Sequence, residues 1–323
     1  MKWRSGLLKI GVLALVIGAI SAFCDIHAIW EATLRAGLYT IAAAFVLSII
    51  VIVFNAFKWQ LMFQTARVAT LFKIYLISSF YAYFFIGQAG GEAAKIYLLS
   101  RASGNVSGSV VSVVADRLTS FIGLLIISVI GFALSPSAYP QGLQEISLAG
   151  LLLLLALLIA LRHDAVIAFA ERMAFWLERL TPRLKAVALA LRQAIEQWHV
   201  SVRNIYRVAA GVALGALIHV GNVLVIMVIA RGVGIGANFF DFCWVVGVMS
   251  IAGLIPITIG QMTAYGTMVA LLQLLGVPLV DAVATSVLIM AVNLVIATTG
   301  AFLAWHMIRS TNLMWTWRWR TSR

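Results

Sequence analysis

The sequence predicts an all-α polytopic membrane protein of about six transmembrane helices and two re-entrant hairpins, arranged as an inverted-topology repeat. Three observations carry that prediction. Hydrophobic residues make up 63% of the 323 and charged residues only 11%, which is outside the balance of a soluble domain. Six apolar runs are each about long enough to cross the roughly 30 Å hydrocarbon layer. Two further apolar stretches are broken by glycine and polar residues, which lipid tolerates only where the broken backbone lines an enclosed or watery cavity.

The runs cover residues 6–23, 38–57, 119–134, 146–161, 208–230 and 282–307. The first has a basic flank (Lys2, Arg4, Lys9), but it ends in Ser21-Ala22-Phe23-Cys24, where Phe precedes Cys and suits neither ordinary nor lipoprotein processing. It is expected to stay as an anchor. Only Cys24 and Cys243 are present, without metal or redox spacing, and two unpaired thiols near the outer face are expected.

Charge fixes the orientation. With the N-terminus inside, the external connections carry Asp25, Glu31, Arg35, Glu145, Arg231, Asp241 and Asp281, a net of −3. The chain totals +12, so everything else carries +15, the asymmetry expected when basic loops stay in the cytoplasm. The basic excess then reflects topology and attraction to anionic lipid at the cytoplasmic face, and implies no nucleic-acid partner.

The two interrupted stretches, about 71–100 and 240–277, complete the topology. If each enters and returns on one side as a hairpin, every flanking charge falls on its expected side. Residues 1–145 then read span, span, hairpin, span, and the second half repeats that order from the opposite face, as in many secondary transporters. Ile-Gly-Gln recurs at 86–88 and 259–261, at the two hairpin tips. The whole chain, 1–323, is a single membrane domain in this reading.

Between the halves, residues 162–207 form a polar connector. Val166, Phe169, Met173, Trp176, Leu177 and Leu180 share one helical face opposite Glu171, Arg172, Glu178 and Arg179. Thr181-Pro182 then opens a second helix, with Leu184, Val187, Leu191, Ile195 and Trp198 on its apolar side. Two amphipathic helices in the cytoplasmic interface are expected. Residues 208–308 hold the rest of the second half, and 309–323 form a basic aromatic tail that reads as an interfacial anchor.

Candidate binding residues cluster at the first break, Gln88-Ala89-Gly90-Gly91-Glu92-Ala93-Ala94-Lys95. Glu92 and Lys95 lie three apart on a helix that starts at the glycines, so they share a face, and the free amides there suit an anion such as phosphate. The plainer reading has Glu92 complementing the helix start and Lys95 snorkelling to the surface. Asp116 and Arg117 point about 100° apart on a helix, which suggests cross-pairing of Arg117 with Glu92 and of Asp116 with Lys95. A purely structural salt bridge is the alternative. The second tip offers Pro256, Thr258, Gln261 and Thr263, neutral groups suited to hydrogen bonding. His219 and Asn222 lie three apart in the fifth span and Asn293 lies in the last; a lone intramembrane His reads first as a hydrogen-bonded packing residue, with a proton carrier as the alternative. No nucleotide loop, metal-ligand cluster or catalytic triad appears, so no cofactor or metal is expected.

Gly90-Gly91-Glu92-Ala93-Ala94-Lys95, followed by Ser112-Val113-Val114-Ala115-Asp116-Arg117, resembles the lysylphosphatidylglycerol synthase transmembrane-region family, also called flippase-like. That family shows Gly-Gly-Asp-x-x-Arg, then Ser-Val-x-x-Asp-Arg, then a Pro-x-Ser segment with a Gly-rich motif ending in Arg-Glu. Trp59-Gln60-Leu61-Met62 is similar to the family's aromatic segment after the second span. Glu92 and Lys95 are conservative replacements here and the second motif is intact. The third departs, with Gln261, Thr263, Tyr265 and Gly266 where the family often has Gly, Gly, Arg and Glu. Ala82, Phe85 and Ile86 replace the usual Asn and Leu-Pro.

The resemblance implies a stand-alone membrane domain, without the aminoacyl-transferase domain, that moves or presents an anionic or glycosylated lipid across the bacterial inner membrane. Both termini would be cytoplasmic. It implies no enzyme activity, a membrane phospholipid or lipid-linked headgroup as ligand, and envelope or hopanoid biosynthesis enzymes as possible partners. Lys95 and Arg117 would contact the phosphate, with Glu92 and Asp116 holding those cations and Gln261 reading the headgroup. The rival functions are an intramembrane enzyme using Glu92 and Asp116 as acid and base, and a non-catalytic scaffold.

Overall fold

Twelve helices and no strands are found among the described residues, 26–62, 66–85, 87–137, 139–180, 185–253 and 261–310, of the computed structural model. They are α1 (Ile26–Arg35), α2 (Gly37–Met62), α3 (Val68–Phe84), α4 (Gly87–Ser103), α5 (Val106–Leu134) and α6 (Gln141–Ala160). The series continues with α7 (Asp164–Leu180), α8 (Lys185–Arg203), α9 (Ile205–Val233), α10 (Phe239–Ala252), α11 (Met262–Leu274) and α12 (Leu279–Ser310). Five of them, α2, α5, α6, α9 and α12, are long and apolar enough to cross a membrane, so the chain is an integral membrane protein. They coincide with five of the six expected spans. The expected span at 6–23, with Cys24, lies outside the described residues, as does the tail from 311 onward.

Each interrupted stretch is a pair of helices too short to span. The arms have 17 and 17 residues in α3 and α4, and 14 and 13 in α10 and α11. At 1.5 Å per residue these are about 20–26 Å long, less than the hydrocarbon thickness, and each pair packs against itself as a hairpin does.

Packing follows the expected internal symmetry. Spans α2 and α9, which occupy equivalent places in the two halves, lie against each other. The first arm of each hairpin packs on the last span of the other half, α3 on α12 and α10 on α5. Both crossings pass over a glycine: Gly300 of α12 meets the backbone of Leu76, and a Cβ on Gly131 of α5 would come within 2.7 Å of Cys243 Cβ and Trp244 N. Small residues let helices approach to backbone contact where no hydrophobic gain from water drives association. Cys243 is therefore a buried free thiol between α5 and α10 instead of one at an accessible edge.

The polar connections sort into two ends. Arg35 Nη2 pairs with Asp281 Oδ1 at 2.7 Å, and Ser135 Oγ donates to Asp241 Oδ1 at 2.5 Å. These connections, expected on one side, thus meet one another. Ser107 Oγ donates to Gln193 Oε1 at 3.3 Å, tying the α4–α5 connection to α8. The connector is two helices, as expected, but they differ. Val166, Phe169, Met173 and Trp176 of α7 remain exposed, whereas Trp198 of α8 is turned inward, its Nε1 donating to Leu161 O at 3.0 Å beside Ile122 and Val208. One feature was not expected: the short helix α1, packed on α12.

Candidate functional site

A cavity of about 310 Å³ opens at the centre of the molecule, walled by α2, α3, α4, α5, α9, α10, α11 and α12. The first hairpin supplies its charged wall. Gly87 begins α4 with φ +55°, a turn that glycine makes without steric cost. Four residues on, a Cβ at Gly91 would stand 2.8 Å from Ala82 Cβ and 3.1 Å from Ser78 O. The absent side chain therefore sets how closely α4 lies on α3, and so how far Glu92 and Lys95 reach.

Glu92 accepts from two cations through one oxygen. Lys95 Nζ stands 3.2 Å from Glu92 Oε1, and Arg117 Nη2 forms a tight ion pair with the same atom. Arg117 Nη2 also donates to Gln88 Oε1 at 3.0 Å. Lys95 is 3% exposed and lies over the Tyr75 ring at 4.1 Å, with Trp59 at 5.6 Å. Ring faces stabilise a desolvated ammonium without neutralising it. Glu92 Oε2 and Arg117 Nε are enclosed and find no partner among the described residues.

A second ion pair sits beneath the wall. Lys58, fully buried, donates to Asp116 Oδ1 at 2.7 Å, to Asp116 O at 2.6 Å and to Ser120 Oγ at 2.6 Å, which uses all three of its protons. The expected pairing of Arg117 with Glu92 is present. The expected pairing of Asp116 with Lys95 is not: Lys58 takes Asp116, and Lys95 turns to Glu92. Adjacent helix positions diverge, so Arg117 faces the cavity while its neighbour Asp116 faces α2. Asp116 thus fixes α5 to α2 and does not line the cavity. Lys58 escaped the sequence reading because it follows an apolar run and looks like an ordinary cytoplasmic flanking charge. The neighbouring Trp59, whose Nε1 donates to Ser112 Oγ at 3.3 Å, was the available signal that this stretch is buried against α5.

Of the other expected residues, Gln88, Gly91, Glu92, Lys95, Arg117 and Gln261 all line the cavity. Gly90 instead packs on α3, where a Cβ would stand 3.2 Å from Tyr81 O. Thr258 and Pro256 lie outside the described residues. His219, Asn222 and Asn293 line the cavity too. The His219 Nδ1 is enclosed and finds no partner among the described residues. Tyr75, whose Oη donates to Asn55 Oδ1 at 3.1 Å, Tyr83 and Tyr265 complete the polar wall. Sequence reasoning missed these tyrosines because an aromatic in an apolar run carries no sign of which way it points.

The cluster holds three cations, Lys58, Lys95 and Arg117, against two carboxylates, Glu92 and Asp116, a net of +1. A charge at membrane depth is costly, and an unbalanced one marks a site that receives a counter-charge. An all-helical membrane protein with a charged cavity between two short hairpins is the class defined here. Within that class, the chain belongs to the lysylphosphatidylglycerol synthase TM region family, whose family model matches residues 6–301. Comparisons with curated proteins and with solved structures return no match.

Proposed function

We propose that this protein is a lipid translocase of the bacterial inner membrane, moving an anionic or glycosylated phospholipid, with both termini in the cytoplasm. The observation that carries the reading is the surplus positive charge of the cavity, with Lys95 and Arg117 sharing one carboxylate oxygen at its wall. A phosphodiester entering beside them joins Glu92 as a second anionic partner of the two cations and neutralises the surplus. Acyl chains stay in the bilayer, and the two hairpins, each packed on the last span of the opposite half, expose the site alternately to either face.

Reading the site as acid–base catalysis finds less support. That chemistry needs two carboxylates facing one space, and Asp116 is committed to Lys58 outside the cavity. The test is headgroup movement in reconstituted vesicles. The Lys95→Gln/Arg117→Gln variant is expected to lose movement of phosphatidylglycerol while still eluting as a folded monodisperse species. Unchanged movement in that variant overturns the assignment.

A further inference from the structure

The cavity has a second wall that the charged cluster does not use. Asn222 of α9, Ser250 of α10 and Gln261 at the start of α11 line it, and their side chains form no hydrogen bond among the described residues. None is sealed off, so their polar atoms remain reachable. Nearby, Asn293 Nδ2 donates to Tyr265 Oη at 2.7 Å, which leaves Asn293 Oδ1 as an acceptor and the tyrosine proton as a donor. Amides and hydroxyls held at membrane depth without partners are unfavourable unless a ligand or water pairs with them.

Gln261 adds an independent observation. Its backbone is left-handed, φ 59° and ψ 30°, and it is the only non-glycine residue with positive φ among the described residues. Glycine adopts this conformation freely, whereas a glutamine held there stores strain that persists at sites where the side chain is needed. Here the strain sets an amide into the cavity wall.

No carboxylate, lysine or arginine lines the cavity from α9, α10, α11 or α12. A headgroup amine would find no counter-charge on this side, since the nearest carboxylate, Glu92, is held by two cations on the other. An apolar group would leave the amides unpaired. What fits is a group with both donors and acceptors and no charge. We infer that this wall is a subsite for an uncharged, hydroxyl-rich group, a sugar or polyol, carried on the phosphate that Lys95 and Arg117 hold. About 310 Å³ lies within the range of small-molecule pockets and accommodates a phosphate with one such ring. This inference rests on the cavity being a headgroup site, though not on translocation.

The experiment measures binding of three lipids with identical acyl chains to the purified full-length protein in detergent. Phosphatidylinositol carries phosphate and polyol, phosphatidylmethanol has the same charge without the polyol, and phosphatidylethanolamine has an amine. Phosphatidylinositol is expected to bind about tenfold more tightly than phosphatidylmethanol, the effect of a few hydrogen bonds. The Asn222→Leu/Gln261→Gly variant is expected to erase that preference while leaving phosphatidylmethanol affinity unchanged, which also reports an intact fold. Equal binding of phosphatidylmethanol or phosphatidylethanolamine by the native protein overturns the inference, as does a preference that survives in the variant. A retained preference together with absent vesicle transport retires the translocation reading alone.

Discussion

The two hairpins are built to one plan and differ in what they present. Each has a left-handed residue at the start of its second arm, Gly87 with φ +55° in the first and Gln261 with φ 59° in the second. The glutamines that close the Ile-Gly-Gln echo, Gln88 and Gln261, therefore differ in conformation. Gly87 takes the left-handed turn and Gln88 follows it into the helix to bond Arg117, whereas Gln261 is itself left-handed. The fifth residue of each second arm is glycine, but Gly91 is pressed against α3 whereas a Cβ on Gly266 would meet nothing within 4 Å. The first hairpin is a tightly seated carrier of charge. The second, in its described residues, is a looser, neutral surface whose strained Gln261 lines the cavity.

The ion pair that anchors the charged wall gives the largest expected effect. Lys58→Met leaves Asp116 buried without a partner and should destabilise the protein by about 3–5 kcal/mol, read as a lowered thermal midpoint in detergent. Lys58→Met/Asp116→Leu should recover most of that loss. A double variant no better than the single one would mean that the pair does more than join α2 to α5.

The paired glycines give the next. Gly91→Val should cost about 1–3 kcal/mol through overpacking on Ala82 and Ser78, and should weaken headgroup binding by shifting Glu92 and Lys95. Gly266→Ala should gain up to about 1 kcal/mol from helix propensity and leave binding unchanged. Equal responses at the two positions would erase the distinction between a seated and a loose hairpin.

The turn residues give the smallest effect and opposite signs. Gly87→Ala should destabilise by about 1–2 kcal/mol, and Gln261→Gly should stabilise by about 1 kcal/mol while losing an amide from the cavity. Thermal midpoints moving in the same direction would show that the strain at Gln261 is not what separates the tips.

Much of the architecture was readable along the chain because a bilayer restricts the choices. Apolar runs near 20 residues must span, and glycine-broken ones must find shelter, so five spans and both hairpins emerged, four of the spans within about five residues of their observed bounds; the helix expected at 119–134 begins earlier, at Val106. The site was half legible. Glu92 with Lys95 follows from helix spacing, and Arg117 with Glu92 from the cost of leaving either unpaired. Asp116 with Lys58 did not follow, because the partner lies 58 residues away on a helix whose rotation the sequence leaves open.

By itself, the sequence determined membrane class, span number in the described region, the sorting of loops to two ends and the charged character of the first tip. These depend on local hydrophobicity, local charge and helix periodicity. Only the tertiary structure decided which of two adjacent charges, Asp116 or Arg117, looks into the cavity. It alone brought His219, Asn222, Asn293, Tyr83 and Tyr265 to the same space. A polar side chain in an apolar helix is silent in sequence about its azimuth. That is set when glycine crossings such as Gly131 and Gly300 fix how the helices seat against one another.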